Sequence, residues 1–348
     1  MKILVNGGAG FIGSHTTVEL FEAGHTPVIV DDFSNSQKWI IDRIEQITGQ
    51  RPVVYEGDCT DSSFMEKIFQ KEDIEGVIHF TAFKAVGESM EKPLKYYRNN
   101  INSLLVVLEV MKKYKVQNIV FSSSATVYGD PDKNPLTENS PRKQATNPYG
   151  NTKLIAEDIL RDVVSSGIMI KTIPLRYFNP IGAHPSHLIG ELPSGVPSNL
   201  VPYITQTAVG VRKELVVFGD DYDTVDGTCI RDFIHIVDLS KAHIATLEYL
   251  EKQKAPFFDV FNVGTGQGTS VMELINIFEK VNGVKLNYKI GQRREGDVEA
   301  CWADTKKINE VMGWKATKTI AEAMKDSWEW EKKLGDKKMK KKTKKKEK

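Results

Sequence analysis

Apolar residues come in short runs along the first half of the chain, separated by glycine-rich or polar segments. Residues 2–6 form the first run and read as a buried strand; Phe11 to about Ala23 follows with helical spacing. Runs at 27–30, 52–56, 76–80 and 118–122 repeat the strand signal, while 62–70 and 93–114 read as amphipathic helices. Strands alternating with helices predict a parallel, doubly wound α/β sheet, with ligands at the carboxyl ends of its strands. Beyond 175 the pattern becomes irregular, and loops rich in Pro and Gly occupy 180–202. Such loops in a compact enzyme usually carry function.

Composition narrows the class. A chain of 348 residues with 40% hydrophobic and 27% charged positions has room for a large core and roughly two domains. No apolar run approaches the roughly 20 residues of a membrane span, and the first residues enter a strand without a signal-peptide pattern. Cys59, Cys229 and Cys301 lie far apart without metal-ligand spacing, and His184 and His187 share a loop without convincing ligand partners. No metal is expected, and a reduced, cytoplasmic setting is the default. The net charge of +1 hides two populations. Residues 335–348 carry nine Lys against Asp336 and Glu347, or +7, which leaves −6 for the remainder. This Lys-rich tail is expected to be disordered and solvated, and a nucleic-acid partner is not favoured.

Candidate chemistry gathers at the predicted strand ends. Gly7, Gly10 and Gly13 follow the first strand, a variant of the dinucleotide fingerprint in which glycines allow a tight turn, close backbone approach to pyrophosphate and close helix packing. Asp31 ends the second strand 18 residues past Gly13, where a carboxylate accepts from ribose hydroxyls and repels a 2′-phosphate, favouring NAD over NADP. Asp32 follows it. Asp58, Lys84 and Ser124 fall at further strand ends, and Asn99 stands near the start of a long helix. Tyr149 and Lys153 are four residues apart, so a helix places them on one face about a turn apart. An ammonium there is expected to lower the phenol pKa toward neutrality and make Tyr149 a usable base. Gly264, Gly266 and Gly268 tempt as a second nucleotide loop, but Ser270 and Glu273 form a capping box that accounts for a plain strand–helix turn.

Gly7-x-x-Gly10-x-x-Gly13, Ser124 and Tyr149-x-x-x-Lys153 together resemble the extended short-chain dehydrogenase/reductase superfamily. Within it, the segments 7–15, 122–129, 147–153, 175–182, 231–235 and 294–297 resemble the UDP-glucose 4-epimerase family, also called UDP-galactose 4-epimerases. The likeness runs from Met1 to about Leu334. It implies a Rossmann-type domain over 1–175, to which about 235–265 returns, and a smaller mixed α/β substrate domain mainly over 176–334. It also implies tightly bound NAD, regenerated each turnover, a UDP-sugar substrate and a homodimer through the helices near 93–114 and 149–165.

The resemblance assigns roles residue by residue. Ser124, Tyr149 and Lys153 are implied as the catalytic set, with Tyr149 removing the C4 hydroxyl proton as hydride leaves C4, then returning it after the 4-keto sugar turns over. Cofactor contacts are implied for Gly7, Gly10, Phe11, Ile12, Gly13, Asp31, Asp32, Phe33, Asn35, Ser36, Asp58, Cys59, Phe80, Thr81, Ala82, Lys84, Asn99, Ser122, Tyr149, Lys153, Tyr177 and Phe178. Substrate contacts are implied for Lys84, Ser124, Tyr149, Phe178, Asn179, Asn199, Leu200, Val216, Val217, Phe218, Arg231, Arg294, Asp297 and Cys301. The arginines suit a diphosphate through their planar forks, Val216 to Phe218 would wall the uracil, and Pro197 to Leu200 read as capping chemistry for a helix to about Val211. Sister 4,6-dehydratases carry acids where this chain has Ala125 and Thr126, so elimination loses its acid–base pair. A small residue at 301 leaves room for an N-acetyl group, so UDP-GlcNAc and UDP-GalNAc join the expected substrates. An epimerase of UDP-uronic acids or UDP-pentoses shares every motif, and a non-catalytic NAD-binding sensor shares the cofactor half.

Overall fold

The computed structural model describes the backbone of residues 1–346 and the side chains of residues 1–335. Six strands form the body of a parallel sheet: β1 (Lys2–Asn6), β2 (Thr26–Asp31), β3 (Val53–Glu56), β4 (Gly76–His79), β5 (Asn118–Ser124) and β6 (Lys171–Tyr177). They lie in the order β3-β2-β1-β4-β5-β6, and the edge beyond β6 is shared by Phe257–Phe258 and Phe261–Val263. The sheet therefore has eight strands in seven positions, because the chain breaks at Asp259, whose carboxylate turns to Lys307. Strand bounds follow the apolar runs to within two residues.

The helices are α1 (Phe11–Glu22), α2 (Trp39–Thr48), α3 (Ser62–Lys71), α4 (Val86–Glu91), α5 (Pro93–Tyr114), α6 (Pro148–Ser165), α7 (Leu200–Ala208) and α8 (Ile236–Glu251), with three more toward the end of the chain. Side chains alternate across the strands, as period two requires. Leu4, Val28, Val77 and Ile119 pack under α3, α5 and α6, while Ile3, Val5, Ile78 and Val120 pack on the face that holds α8. Both faces are covered, which explains near-continuous apolar strands in place of alternation. Helix α1 packs closely on α8 through small buried residues, with the Thr16 and Ser240 hydroxyls 3.4 Å apart. Short α2 and α4 carry no strong sequence signal.

A second core joins α7, the strand Leu215–Phe218, the helix Val271–Asn282 and the last helix. Asp232, fully buried, pins this half: its carboxylate accepts from the backbone N–H groups of Thr265 at 2.8 Å, Gly266 at 3.0 Å and Ala303 at 3.2 Å. The glycines from 264 are thus held by a side chain, and the capping box of Ser270 and Glu273 is formed, in keeping with a structural turn. The disorder expected from 335 does not describe the backbone, which continues as helix Ile320–Lys346; lysine is a good helix former and no proline intervenes. The side chains beyond 335, and residues 347–348 altogether, lie outside the described residues.

His15, His79 and His243 sit in the packed interior, and His184 is half-buried. Burial holds His15 and His79 down to about 3, and His184 and His243 down to about 4, from an ordinary 6.5. These imidazoles fold neutral, so their contribution is complete above pH 6.5 and declines as pH falls through and below that value. Thermal unfolding followed from pH 7.5 to pH 5 is expected to show a falling Tm, with roughly 1–2 kcal/mol lost per histidine. A flat profile contradicts the neutral assignment.

Candidate functional site

The glycine loop closes the amino end of α1. Gly7 has φ +78°, and a Cβ there would stand 3.2 Å from the Thr81 amide nitrogen; a Cβ on Gly13 would stand 2.2 Å from the Gly7 carbonyl oxygen. Only glycine fits at 13. Gly10 caps α1 without a side chain, so the first-turn amides of Phe11 and Ile12 face an open cradle of the kind that takes a pyrophosphate. Asp31 ends β2 beside it, accepting from Ala9 N–H at 2.9 Å, Phe33 N–H at 2.9 Å and the Ser36 hydroxyl at 2.8 Å. One carboxylate thereby braces the glycine loop and shapes the next turn, in which Phe33 takes φ 55°. Burial raises the Asp31 pKa, and these hydrogen bonds oppose the rise. Asp32 and Asp58 form local turns to Ser34 and Thr60, with Asn35 exposed in the first of them.

Further along the same sheet edge, Cys59 is buried with its thiol pushed up to about 12 and lies 3.5 Å from the Thr81 hydroxyl. It is a packed thiol, not a reactive one. The Phe80 ring lies tilted against His243 with ring centres 4.9 Å apart, and Ala82 belongs to the loop that leads to Lys84. Asn99 donates to Asn100, and Asn100 in turn clamps both backbone groups of Phe83 and reaches Thr152 of α6 at 3.1 Å. Asn100 is a positioning residue that the sequence pattern did not single out; its partners are 17 and 52 residues away.

Helix α6 begins where the Asn147 side chain accepts from the Gly150 N–H at 2.8 Å and Pro148 takes the first helical position. This start fixes Tyr149 in the first turn. Gly150 lies close to Thr126, which brings Tyr149 to the end of β5 beside Ser124. The Thr126 hydroxyl is buried without a protein partner among the described residues, a polar opening at this strand end. Lys153, 4% exposed, donates to the Ser122 carbonyl at 2.5 Å and stands 5.9 Å from the centre of the Tyr149 ring.

The charge states run against the expectation from spacing. Burial raises the Tyr149 pKa, with the Ser124 hydroxyl pulling it part of the way back, and burial brings Lys153 down to about 7. Loss of water penalises both ionic forms, and the Lys153 ammonium is aimed at a carbonyl instead of the phenol oxygen. Tyr177, below them, is occupied by His243 at 2.8 Å. Phe178 is buried against Cys301, Val127 and Tyr128.

In the second half of the chain, Arg294 donates to Asp297 at 3.0 and 2.5 Å, and Arg231 lies 3.6 Å from the same carboxylate. The Arg294 guanidinium also stands 5.8 Å over Phe218. These three form one group, with Asp297 engaged by the arginines. The expected uracil wall divides: Val217 turns into the core with Ile204 and Phe233, while Val216 and Phe218 take the opposite face, as strand alternation demands. Leu200 packs at the rim of that core, and Asn179 is exposed at the start of its strand. Asn199 stands at the amino end of α7 but caps nothing, and the helix stops at Ala208, short of Val211. Its side chain donates instead to Glu191 at 2.6 Å.

Glu191 also accepts from Lys84 at 3.2 Å. It joins a residue of the first half to one of the second, and no local motif marks it. Trp330 holds its backbone carbonyl at 2.9 Å and fills the space where Gly190 lacks a side chain. Cys301 is 8% exposed, pairs in register with Arg231, and packs with Phe178 and Ala125; the adjacent Trp302 turns the other way, over Gly268.

A family model described as GDP-mannose 4,6 dehydratase matches residues 4–327. The chain is 49% identical over 331 residues to UDP-glucose 4-epimerase of Bacillus subtilis, covering 95% of this chain and 97% of that one. The chain belongs to the UDP-glucose 4-epimerase family. The crystal structure of the Bifidobacterium longum UDP-glucose 4-epimerase with NAD+ and UDP superposes with a TM-score of 0.92 at 49% identity, covering 96% and 98% of the two chains. That of the Stenotrophomonas maltophila enzyme with NAD and formylated UDP-arabinopyranose gives 0.94 at 46% identity, covering 97% and 99%. The chain is thus an isomerase of this family. Its dehydratase-type frame is shared, while Ala125 and Thr126 leave the strand end without elimination acids.

Glu191→Gln keeps the size of the side chain and removes its charge, freeing Lys84 and Asn199 from a fixed pose. The KM for UDP-galactose is expected to change at least threefold with kcat changing less, in steady-state assays. Unchanged KM removes Glu191 from substrate recognition.

Proposed function

We propose that this chain interconverts UDP-glucose and UDP-galactose by NAD-dependent oxidation and reduction at C4, acting also on UDP-GlcNAc and UDP-GalNAc. The observation that carries the reading is the Ser124–Tyr149–Lys153 group at the end of β5, two strands from β1 and the glycine cradle that a Cβ at 13 would fill. The cradle fits a dinucleotide: Gly7 to Gly13 would take the pyrophosphate, Asp31 the adenosine ribose, and Lys153 the second ribose. Bound NAD supplies the hydride acceptor and, oxidised, a positive charge beside the phenol.

Tyr149 is the base and Ser124 its partner at the sugar oxygen. Burial holds the proton on the phenol, and a positive charge beside it would favour its release to solvent, leaving the phenolate as the base. Tyr149 then accepts the C4 hydroxyl proton and gives it back, and Ser124 hydrogen-bonds the same oxygen in both directions. Return of hydride to the opposite face of the sugar inverts C4 with no net oxidation. Arg231 and Arg294 hold the diphosphate, releasing part of their hold on Asp297, which turns to a ribose hydroxyl. Lys84 and Asn199 lie nearer the sugar.

A pentose-linked substrate has specific support as a second reading, because the Stenotrophomonas maltophila structure holds a formylated UDP-arabinopyranose. The acetyl-bearing sugars are favoured by the small side chain at 301, backed by Phe178 and Ala125, with Trp302 turned away. A homodimer through α5 and α6 fits the outward Leu94, 80% exposed, and Leu105, 39% exposed. The setting is the cytoplasm, in line with three free, buried cysteines.

Tyr149→Phe is expected to lower kcat for UDP-galactose by roughly 10²–10⁴; turnover within tenfold of the parent overturns Tyr149 as the base, and a parent without turnover leaves the chain a binding protein. In the same coupled assay the parent turns over UDP-GlcNAc, and efficient UDP-galactose turnover without it rejects the role given to Cys301. Sedimentation equilibrium is expected to return twice the chain mass, and a monomer removes the interface.

A further inference from the structure

Tyr149 and Lys153 have a third member on their helix face. Glu157 stands one turn beyond Lys153, and its side chain is buried. It is fastened to both neighbouring strands. The Ser123 hydroxyl of β5 donates to one carboxylate oxygen at 2.5 Å, and Arg176 of β6 makes a fork, Nε at 3.0 Å and a terminal nitrogen at 2.7 Å. Arg142 lies 3.5 Å away on the outer side. Arg176 then reaches the Tyr128 hydroxyl at 2.9 Å and the Glu138 carbonyl at 3.2 Å. The network therefore grips Ser123 before Ser124, and Tyr128 in the turn after it.

A purely mechanical tie between helix and sheet needs no charge, and apolar packing supplies such ties elsewhere under α6. A buried ion pair is weak evidence for stability, since its desolvation offsets much of its attraction. Its place gives it another use. The groups around the Lys153 amine are the Ser122 carbonyl, the Phe121 and Tyr149 rings, neutral His79 of β4, and Glu157. Tyr177 lies beyond Tyr149, and the cations Arg176 and Arg142 lie on the far side of Glu157. Glu157 is the group whose charge favours the ammonium against burial.

We propose that Glu157 is a positioning residue for the epimerase: clamped by Ser123 and Arg176, it fixes the seat of Tyr149 and Lys153 over Ser124 and sets a carboxylate one helical turn from Lys153. The inference rests on the reading of Tyr149 and Lys153 as the working pair. Two variants separate charge from position. Glu157→Gln keeps the shape, so the alkaline limb of the kcat–pH profile, where Lys153 loses its proton, moves to lower pH by roughly half a unit or more. Glu157→Asp keeps the charge but withdraws the carboxylate by one methylene, so kcat falls at least fivefold with the limb unmoved. Circular dichroism and retained NAD check that each variant folds. If Glu157→Gln does not fold, Ser123→Ala deletes one hydroxyl and leaves the ion pair; kcat falls several-fold at unchanged KM for UDP-galactose. A folded Glu157→Gln with the parental limb overturns the proposal, as does Ser123→Ala with parental kcat. Tyr149→Phe, run beside them, distinguishes the failures: an active Tyr149→Phe overturns the base assignment, whereas an inactive one with an unmoved limb overturns the role of Glu157 alone.

Discussion

A buried amine on α6 constrains much of this molecule. Lys153 has left water, which costs its charged form heavily unless oxygen replaces the lost solvation. The replacement comes from the Ser122 carbonyl at 2.5 Å and from the nearby charge of Glu157. A carbonyl at the end of a strand is a fixed point, so the amine's need sets the height of α6 along β5. Tyr149, one turn earlier, follows into place beside Ser124, and Glu157, one turn later, meets β5 and β6. The helix start agrees, because Asn147 and Pro148 allow α6 to begin only just before Tyr149. Local capping and long-range charge thus point to one register.

Two aspartates play a matching part for the loops. Asp31 is buried at the end of β2 and holds the glycine loop by its Ala9 amide; Asp232 is buried in the second half and holds the turn after Val263 by two backbone amides, with a third from Ala303. In each case a carboxylate takes up donors that a tight loop cannot satisfy within itself. For Asp31 this changes the meaning of a sequence signal. Spacing from the glycines marks it as a ribose ligand, yet its oxygens already brace the cradle. A carboxylate oxygen accepts more than one hydrogen bond, so both tasks are compatible. The bracing explains why an acid is needed there even before any ligand arrives.

The legible part of the sequence was the part whose causes are local. Glycines at 7, 10 and 13, the apolar strands, the Tyr149–Lys153 spacing and the Ser270–Glu273 capping box each depend on neighbours within a few residues, and the structure has each of them. What escaped depends on partners far along the chain. Asn100 and Glu191 look like ordinary polar residues until Thr152, Lys84 and Asn199 are brought beside them. Asn199 has the residue type of a cap, yet a carboxylate 8 residues upstream takes its side chain. Val216 to Phe218 suggest a continuous wall, whereas a strand presents only alternate residues to one side. The pKa shift of Tyr149 was beyond spacing altogether, since its sign is set by desolvation, and desolvation is a property of the packed molecule.

The opposed shifts of Tyr149 and Lys153 fit a base that must work in both directions. A phenol already ionised in the protein alone would take the substrate proton readily and release it poorly; a phenol kept neutral under all conditions would do neither. Burial here makes both ions costly, so the proton's position depends on the charge that enters with the ligands. The side chains proposed for the chemistry lie on α6 and β5, whereas those proposed for the substrate, Phe218 and Arg231 for its uridine diphosphate and Cys301 for its sugar, lie on strands of the second half. Phe178 touches both sets, packing against Cys301 while standing just past the end of β6. The buried polar ties of α6 run to β5 and β6 and, through Thr152, to Asn100 of α5; among the described residues no hydrogen bond joins α6 to the strand of Cys301, and the two meet only in the apolar cluster that Leu154 shares with Cys301 and Phe178.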